Sequence, residues 1–145
     1  MAQVTATAEI TIAASPEEVL AALADYATVR PAILTDAYTD YAVTEGGVGT
    51  GTVATWRLHT TEKRIRHVVA DVVADASTVT EKDRNSSMVT VFAVSPAVSG
   101  SQVVVTTTWD GAGGVGGFFE RTFAPKGLRR IHDGLLANLA ARLAG

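Results

Sequence analysis

Large apolar residues recur every three, four or five positions along the last part of the chain, over residues 115–144. This period predicts one long amphipathic helix, with an apolar stripe on one side and charged residues on the other. Pro125 lacks a backbone N–H, so we expect a kink near Phe123 and Ala124. The predicted stripe consists of Phe118, Phe119, Phe123, Leu128, Ile131, Leu135, Leu139 and Leu143.

The N-terminal part of the chain alternates apolar and polar residues from Val4 to Ile12, which predicts a half-buried strand. A helix start follows, with Ser15 as the N-cap, Pro16 at the first helical position and Glu18 completing a capping box. We expect this helix to be short. Arg30 and Pro31 then predict a break, followed by a short helical turn over 32–34.

Six further strands are predicted between the short helices and the long one. Because the connections between them are short, the strands should form an antiparallel sheet. A twisted sheet of seven strands curls, and the long helix is the element available to cover its concave face. The predicted fold class is therefore α+β, in a single domain over residues 1–145. The six strands are predicted at 38–44, 52–59, 62 or 63 to 74, 78–82, 88–95 and 102–109.

Composition excludes several classes of function. The formal net charge is -3 and the sequence pI is about 5.5, so binding to a phosphate backbone is not expected. The chain has no Cys, which excludes disulfides and thiolate metal sites. No basic run precedes the first apolar residues and no apolar run is long enough to span a membrane. We expect a cytoplasmic protein that is a monomer or a homodimer.

Three motifs make the sequence resemble the START/Bet v 1-like (SRPBCC) superfamily, in its bacterial polyketide cyclase/dehydrase and lipid-transport branch. The first is the opening strand that leads into the sequence ASPEEV at 14–19, and the second is VGTGT at 48–52. The third is GSQVVV at 100–105, followed by FERTFAPKGLRR at 119–130. The resemblance covers nearly the whole chain. It implies a helix-grip fold, with a cavity for an apolar ligand between the sheet and the long helix, but it implies no particular reaction.

Motifs of other known sites are incomplete. The stretch GAGGVG at 111–116 fits G-x-G-x-x-G, but no βαβ unit surrounds it, so it predicts a flexible loop rather than a dinucleotide site. His59, His67 and His132 lack the spacing of metal ligands, and we expect no metal and no cofactor. His132, beside Ile131 on the helix, is interpreted as a boundary residue. No Ser lies in a nucleophile elbow, which argues against a hydrolase triad.

A tight turn at Thr60 and Thr61 would join two of the strands as a hairpin and place His67 on the same face as Trp56. Three hypotheses for function remain open. The first is binding of a hydrophobic or amphipathic small molecule, such as a lipid, a polyketide or an aromatic metabolite, in the cavity. The second is a cofactor-independent cyclase or dehydratase, and the third is a protein-interaction module. The predicted ligand-binding residues are Leu34, Trp56, Leu58, His67, Met88, Trp109, Phe119, Phe123 and Leu135.

No residue is assigned a catalytic role from the sequence. An enzyme of this class would need a general acid or base inside an apolar cavity. The candidates for that role are His67, Asp71, Glu81 and Tyr41, whose strand faces are open at this point. The direction of polar side chains inside the cavity discriminates the hypotheses: two convergent titratable groups would favour the enzyme, and a dry cavity would favour a carrier.

Overall fold

The structure, a computed structural model, describes residues 3–60, 64–110 and 114–144, with side chains left aside over 114–124. It confirms the α+β helix-grip architecture: seven antiparallel strands form one sheet, two short helices follow the first strand, and a long helix ends the chain. In chain order the elements are β1 Gln3–Ile12, α1 Pro16–Ala24, α2 Val29–Ile33, β2 Tyr38–Glu45, β3 Val53–His59, β4 Ile65–Ala74, β5 Thr78–Asp83, β6 Val89–Ala97, β7 Gly100–Asp110 and α3 Gly114–Ala144.

The spatial order of the strands is β1-β7-β6-β5-β4-β3-β2. From β2 to β7 each strand therefore pairs with the next strand in sequence. The last strand, β7, also pairs with the first, β1. Along β7 every second residue is buried, and along β1 every second residue is buried except Ile10, which is half-buried, as the alternating sequence predicts. The buried sides of the strands form one continuous core with α3. This concave face of the sheet, together with the buried side of α3, is the interior considered below.

Local sequence explains where α1 begins. The Ser15 hydroxyl accepts a hydrogen bond from the backbone N–H of Glu18 at 3.2 Å, and Pro16 occupies the first turn, where no N–H is needed. The predicted break at Arg30 and Pro31 is wrong. Both residues lie inside α2, because Pro31 sits in the first turn of this short helix and removes no internal hydrogen bond there.

The long helix is assigned without interruption through Pro125, and the predicted kink stays a prediction. Its apolar stripe is confirmed over the described side chains. Two polar contacts fix its position: Asn138 Nδ2 donates to the Ile33 carbonyl at 2.9 Å, and Arg129 Nε donates to the Thr7 carbonyl at 3.2 Å. The buried large apolar residues of α3 are Leu128, Ile131, Leu135, Leu136 and Leu139.

The register of the β3–β4 hairpin differs from the predicted one by one residue. Trp56 pairs with Val68, and His67 pairs with Arg57. The Thr60 N–H donates to the Arg64 carbonyl at 3.1 Å, so the hairpin extends beyond the turn predicted at Thr60 and Thr61. Because side chains alternate between faces, this single step moves His67 and Asp71 to the outer face of the sheet.

Candidate functional site

Most of the predicted ligand-binding residues share one core cluster. Leu34 is half-buried at the end of α2 and packs against that cluster. The aromatic and aliphatic members lie on the concave face of the sheet or on the facing side of α3, so the structure brings them to one interior. The fully buried members are Trp56, Leu58, Met88, Trp109 and Leu135.

Of the other three predicted residues, one does not join this group, and the side chains of two lie outside the described part of the structure. His67 is exposed on the outer face of β4, so its predicted position beside Trp56 is wrong. Besides its pairing with Arg57, its backbone carbonyl accepts a hydrogen bond from Asn85 Nδ2 at 2.9 Å. The side chains of Phe119 and Phe123 lie outside the described part of the structure, and their predicted role is not addressed by it.

Of the four candidates for acid or base chemistry, two face the interior and two do not. Asp71 lies on the outer face, where its carboxylate accepts from Arg84 at 2.6 Å and 2.8 Å. Glu81 is buried on the concave side of β5. Tyr41 is half-buried on β2, and its hydroxyl donates to the Tyr26 carbonyl at 2.5 Å.

A buried ion pair lies beneath α1 and α2. Arg30, which is 2% exposed, donates through Nη1 to Glu81 Oε2 at 2.5 Å and through Nη2 to the Leu23 carbonyl at 3.1 Å. The Tyr26 hydroxyl donates to the same Glu81 oxygen at 2.5 Å. The guanidinium also lies 4.3 Å from the centre of the Tyr26 ring and 5.0 Å from that of Phe92. Charge matching and ring contacts together make this arginine tolerable inside the core.

Electrostatics fix the protonation of Arg30 and of the tyrosines around it. Burial raises the pKa of Tyr26 well above its ordinary value, partly opposed by the charge of Arg30. Burial by itself would lower the pKa of Arg30, but Tyr26 and Glu81 raise it above its ordinary value. Burial likewise raises the pKa of Tyr38, and that of Tyr41 to about 12. The tyrosines are therefore neutral and the arginine charged at neutral pH.

Three aromatic rings adjoin the ion pair. Trp56 stacks on Tyr41 with ring centres 6.1 Å apart and planes inclined by 20°, and Tyr38 meets Trp56 edge-on at 6.1 Å. Since Tyr41 also donates to the Tyr26 carbonyl, these rings are linked to the residues around Arg30. One end of the interior is thus aromatic and carries a buried cation.

A row of polar residues crosses the concave face from this end to α3. Glu81 of β5 pairs with Thr90 of β6, and Thr90 pairs with Thr107 of β7. The hydroxyl oxygens of the two threonines are 2.8 Å apart, and Thr107 Oγ1 is also 2.8 Å from His132 Nε2. All four side chains are buried, so the row is an ordered polar path through an otherwise apolar core.

The interpretation of His132 as a boundary residue is wrong, because its side chain lies in the core and the residue is only 3% exposed. Burial lowers its pKa to about 4, with a further contribution from the charge of Arg30. The imidazole is therefore neutral at neutral pH. Its Nε2 contacts Thr107, which leaves Nδ1 as a second polar atom of the same ring inside the core.

Three buried polar atoms of this interior have no hydrogen-bond partner within the described residues. They are Arg30 Nε, Trp56 Nε1 and His132 Nδ1. More than nine in ten buried polar groups of native proteins are paired, so three such atoms around one interior require an explanation. A buried water or a bound molecule that carries polar atoms would supply the missing partners.

Sequence patterns carry little signal for several of these residues. Arg30 sits in a five-residue helix, too short to show which side is buried. His132 follows Ile131 on α3. The only sequence signal for its burial is the helical period, if the apolar stripe is wide enough to include both residues. Thr107 shares the two-residue period of Val103, Val105 and Trp109, so its inward direction is readable. Thr90 lies between Val89 and Val91, whose apolar side chains do not indicate that the threonine is the buried one. The contact of Thr107 with His132 depends on the tertiary fold.

A separate shallow cleft lies outside the sheet, between β1 and α3. Its volume is about 240 Å³ and its lining includes Lys126 and Arg129. None of the four residues of the polar row lines it, although Ala6, which does, is the strand partner of Thr107. Within the described residues, no three His, Asp or Glu side chains meet as a metal site would require. No helix described by the structure is long and apolar enough to cross a membrane.

Comparison with known proteins places this geometry in context. Residues 2–144 match the sequence profile of the family described as polyketide cyclase/dehydrase and lipid transport. The NMR solution structure of KanY protein (ms6282) is similar to this chain at 55% identity, with 100% of both chains covered and a TM-score of 0.92. Curated proteins yield no significant match.

Two more distant structures share the fold. TTHA0849 from Thermus thermophilus has 18% identity, with 99% of this chain and 97% of that chain covered, at a TM-score of 0.75. The Zhui aromatase/cyclase from Streptomyces sp. R1128 has 14% identity, with 97% of this chain and 93% of that chain covered, at a TM-score of 0.74. At these identities the likeness concerns the fold alone.

Proposed function

Because the chain belongs to the polyketide cyclase/dehydrase and lipid-transport family, we propose that it binds one hydrophobic or amphipathic small molecule between the sheet and α3. The observation that carries this proposal is the set of three unpartnered buried atoms, Arg30 Nε, Trp56 Nε1 and His132 Nδ1. An unpaired buried polar group costs roughly 1–3 kcal/mol, which a ligand with matching polar atoms would recover. The surrounding apolar and aromatic side chains would hold the rest of the molecule.

The experiment is a fluorescence titration of the folded protein with N-phenyl-1-naphthylamine, a neutral apolar probe. Saturable one-to-one binding is expected. Leu135, fully buried on the inner side of α3, is the position at which added volume should exclude the probe. Leu135→Trp should therefore weaken binding, whereas Ala137→Trp on the exposed side of the same helix should not.

Melting temperature decides how the Leu135→Trp result is read. If the variant melts like the parent and binds less probe, the added ring has entered an open space. If neither the parent nor the Leu135→Trp variant binds any apolar probe, ligand binding is excluded and the interaction-module hypothesis is favoured.

A second candidate is a cofactor-independent reaction of the cyclase or dehydratase type, favoured by the carboxylate of Glu81. Only Oε2 of this group is engaged by Tyr26 and Arg30, so Oε1 is available as a general base in an apolar interior. Binding ranks first because the carboxylate is already engaged by the Arg30 guanidinium and the Tyr26 hydroxyl. His132, the other titratable group of the row, is neutral and held by Thr107.

Deuterium exchange tests the enzyme. A general base in the interior would remove a methyl proton from 2-acetylnaphthalene, and deuterium from the solvent would replace it on the enolate. NMR would detect exchange above the buffer rate, and Glu81→Gln should abolish that excess. Absence of any protein-dependent exchange, with binding intact, would leave the carrier.

A further inference from the structure

We propose that the interior selects a neutral ligand with oxygen atoms at two separated positions, one facing Trp56 and Arg30 and the other facing His132. The inference rests on the proposed binding function and names the chemistry that the occupant must carry. It follows from the kinds of polar atom left without partners, from their separation and from the charges around them.

At the first end, both unpartnered atoms are donors. Arg30 Nε and Trp56 Nε1 each carry a hydrogen and cannot accept one, so only an acceptor on the ligand can pair with them. Tyr41 connects the two residues, since its ring stacks on Trp56 and its hydroxyl donates to the carbonyl of Tyr26, whose ring lies beneath Arg30. A carbonyl, ether or hydroxyl oxygen fits this end.

At the second end, the free atom of His132 takes either role. If Thr107 donates to Nε2, then Nδ1 carries the hydrogen and is a donor. If Nε2 donates to Thr107, then Thr107 donates to Thr90 and Nδ1 is an acceptor. A hydroxyl group both donates and accepts, so it satisfies His132 in either tautomer.

The polar row sets the distance between the Arg30 side of the first end and His132; Trp56 lies on β3, two strands beyond β5. Glu81, which holds Arg30, and Thr107, which holds His132, lie on strands separated by one further strand, β6. Neighbouring strands are roughly 4.8 Å apart, so the two anchors are about 10 Å apart across the sheet. A fused aromatic ring system with an oxygen at each end has a length of this order, whereas a molecule with a single polar group can reach only one anchor.

The charges favour a neutral ligand. The charge of Arg30 is already matched by Glu81, at 2.5 Å. Burial raises the pKa of Tyr26, Tyr38 and Tyr41 and lowers that of His132, so in each case the interior disfavours an additional charge. An anionic headgroup would enter without a free counter-charge among the described residues of the interior.

Three ligands with one ring system separate these contributions: 2-naphthol, naphthalene-2,6-diol and 2-naphthoate, titrated calorimetrically into the folded protein at neutral pH. The diol should bind about five- to tenfold more tightly than 2-naphthol, the gain expected for one additional hydrogen bond to a buried group. The carboxylate of 2-naphthoate should make it the weakest of the three.

Two conservative variants assign the ends. His132→Phe and Trp56→Phe keep an aromatic ring and remove the polar atom, so each should abolish most of the advantage of the diol over 2-naphthol. His67→Phe is the matched control, because it makes the same exchange on the outer face of the sheet and should leave all three affinities unchanged.

The outcomes are distinct. If the parent protein binds the three ligands with equal affinity, or binds 2-naphthoate most tightly, the inference is wrong. This result comes from the parent protein and does not depend on whether a variant folds. If N-phenyl-1-naphthylamine still binds in that case, the proposed binding function stands and only the two-ended polar selection is lost. If His132→Phe weakens the diol and 2-naphthol by the same factor, then His132 supports the fold and does not contact the ligand.

Discussion

The Arg30 guanidinium donates through Nη1 to Glu81 Oε2 at 2.5 Å, joining helix α2 to strand β5 inside the core. The two side chains are 3% and 8% exposed. Desolvation of both charges offsets most of their attraction, so the pair as such adds little to stability. Removal of one partner should lower stability much more, because the other charge is then buried without compensation.

We therefore expect Arg30→Met to lower the free energy of unfolding by about 3–5 kcal/mol. The double variant Arg30→Met/Glu81→Gln should recover much of that loss, because glutamine carries no charge and its carbonyl still accepts from Tyr26. Urea denaturation of the parent and both variants measures the difference. If the double variant is as unstable as the single one, packing rather than charge accounts for the effect.

The exposed pair of Arg84 and Asp71 is the matched control. It has comparable geometry, with the closest contact at 2.6 Å, but its side chains are 51% and 44% exposed. Solvent screens such a pair, so Arg84→Met should change stability far less than Arg30→Met does. Equal losses at the two sites would contradict the role assigned to burial.

The two tryptophans are predicted to report the buried face of the sheet. Trp56 is 4% exposed and Trp109 is 5% exposed, as their strand patterns indicate. Their emission should be shifted to the blue relative to free indole and should be quenched poorly by acrylamide. Trp56→Phe and Trp109→Phe each leave one reporter, so the two environments can be measured separately. Emission typical of indole in water from both would show that the strands face the wrong way.

Deletion of residues 126–145 is predicted to abolish cooperative folding rather than ligand binding alone. The deleted segment holds five large buried apolar residues, Leu128, Ile131, Leu135, Leu136 and Leu139. At roughly 1.5–3 kcal/mol each, their burial contributes about 7–15 kcal/mol, as much as a typical domain has in net stability. The truncated chain should aggregate or bind hydrophobic dyes as a molten state.

The control for this deletion is removal of residues 142–145 only, of which Leu143 is half-buried and Arg142 and Ala144 are exposed. Calorimetry should still show a cooperative transition for this shorter deletion. A cooperative transition for the longer deletion would mean that the sheet folds without its covering helix.

The architecture is predictable because it depends on periods that are long and regular. Alternation along β1 and β7 indicates the buried faces directly, and the helical period indicates α3. Register is harder to predict. To predict the register of the β3–β4 hairpin, the length of its turn must be known to within one residue. An error of one residue moves His67 from the inner to the outer face.

The polar part of the candidate site is less predictable for a related reason. Glu81 and Tyr41 are candidates from the sequence, but their partners Arg30 and Tyr26 come from the segment that follows α1, where the chain has no period. The contact of His132 with Thr107 joins residues 25 positions apart on different elements. Local patterns carry no information about such contacts, which exist only once the helix lies on the sheet.

Finally, His132 should make the stability of the protein depend on pH. Burial lowers its pKa to about 4 in the folded state, against 6.5 for an ordinary histidine. Between these values the unfolded chain binds a proton that the folded protein does not, so stability should fall as the pH decreases from 6.5 towards 4. The full difference corresponds to roughly 3 kcal/mol, because one pKa unit equals about 1.4 kcal/mol.

His132→Phe removes this contribution, so urea denaturation of parent and variant across this pH range should give curves that converge as the pH falls. A constant difference between parent and His132→Phe at every pH would mean that the pKa of His132 is the same in the folded and unfolded states, and would contradict the effect assigned to burial.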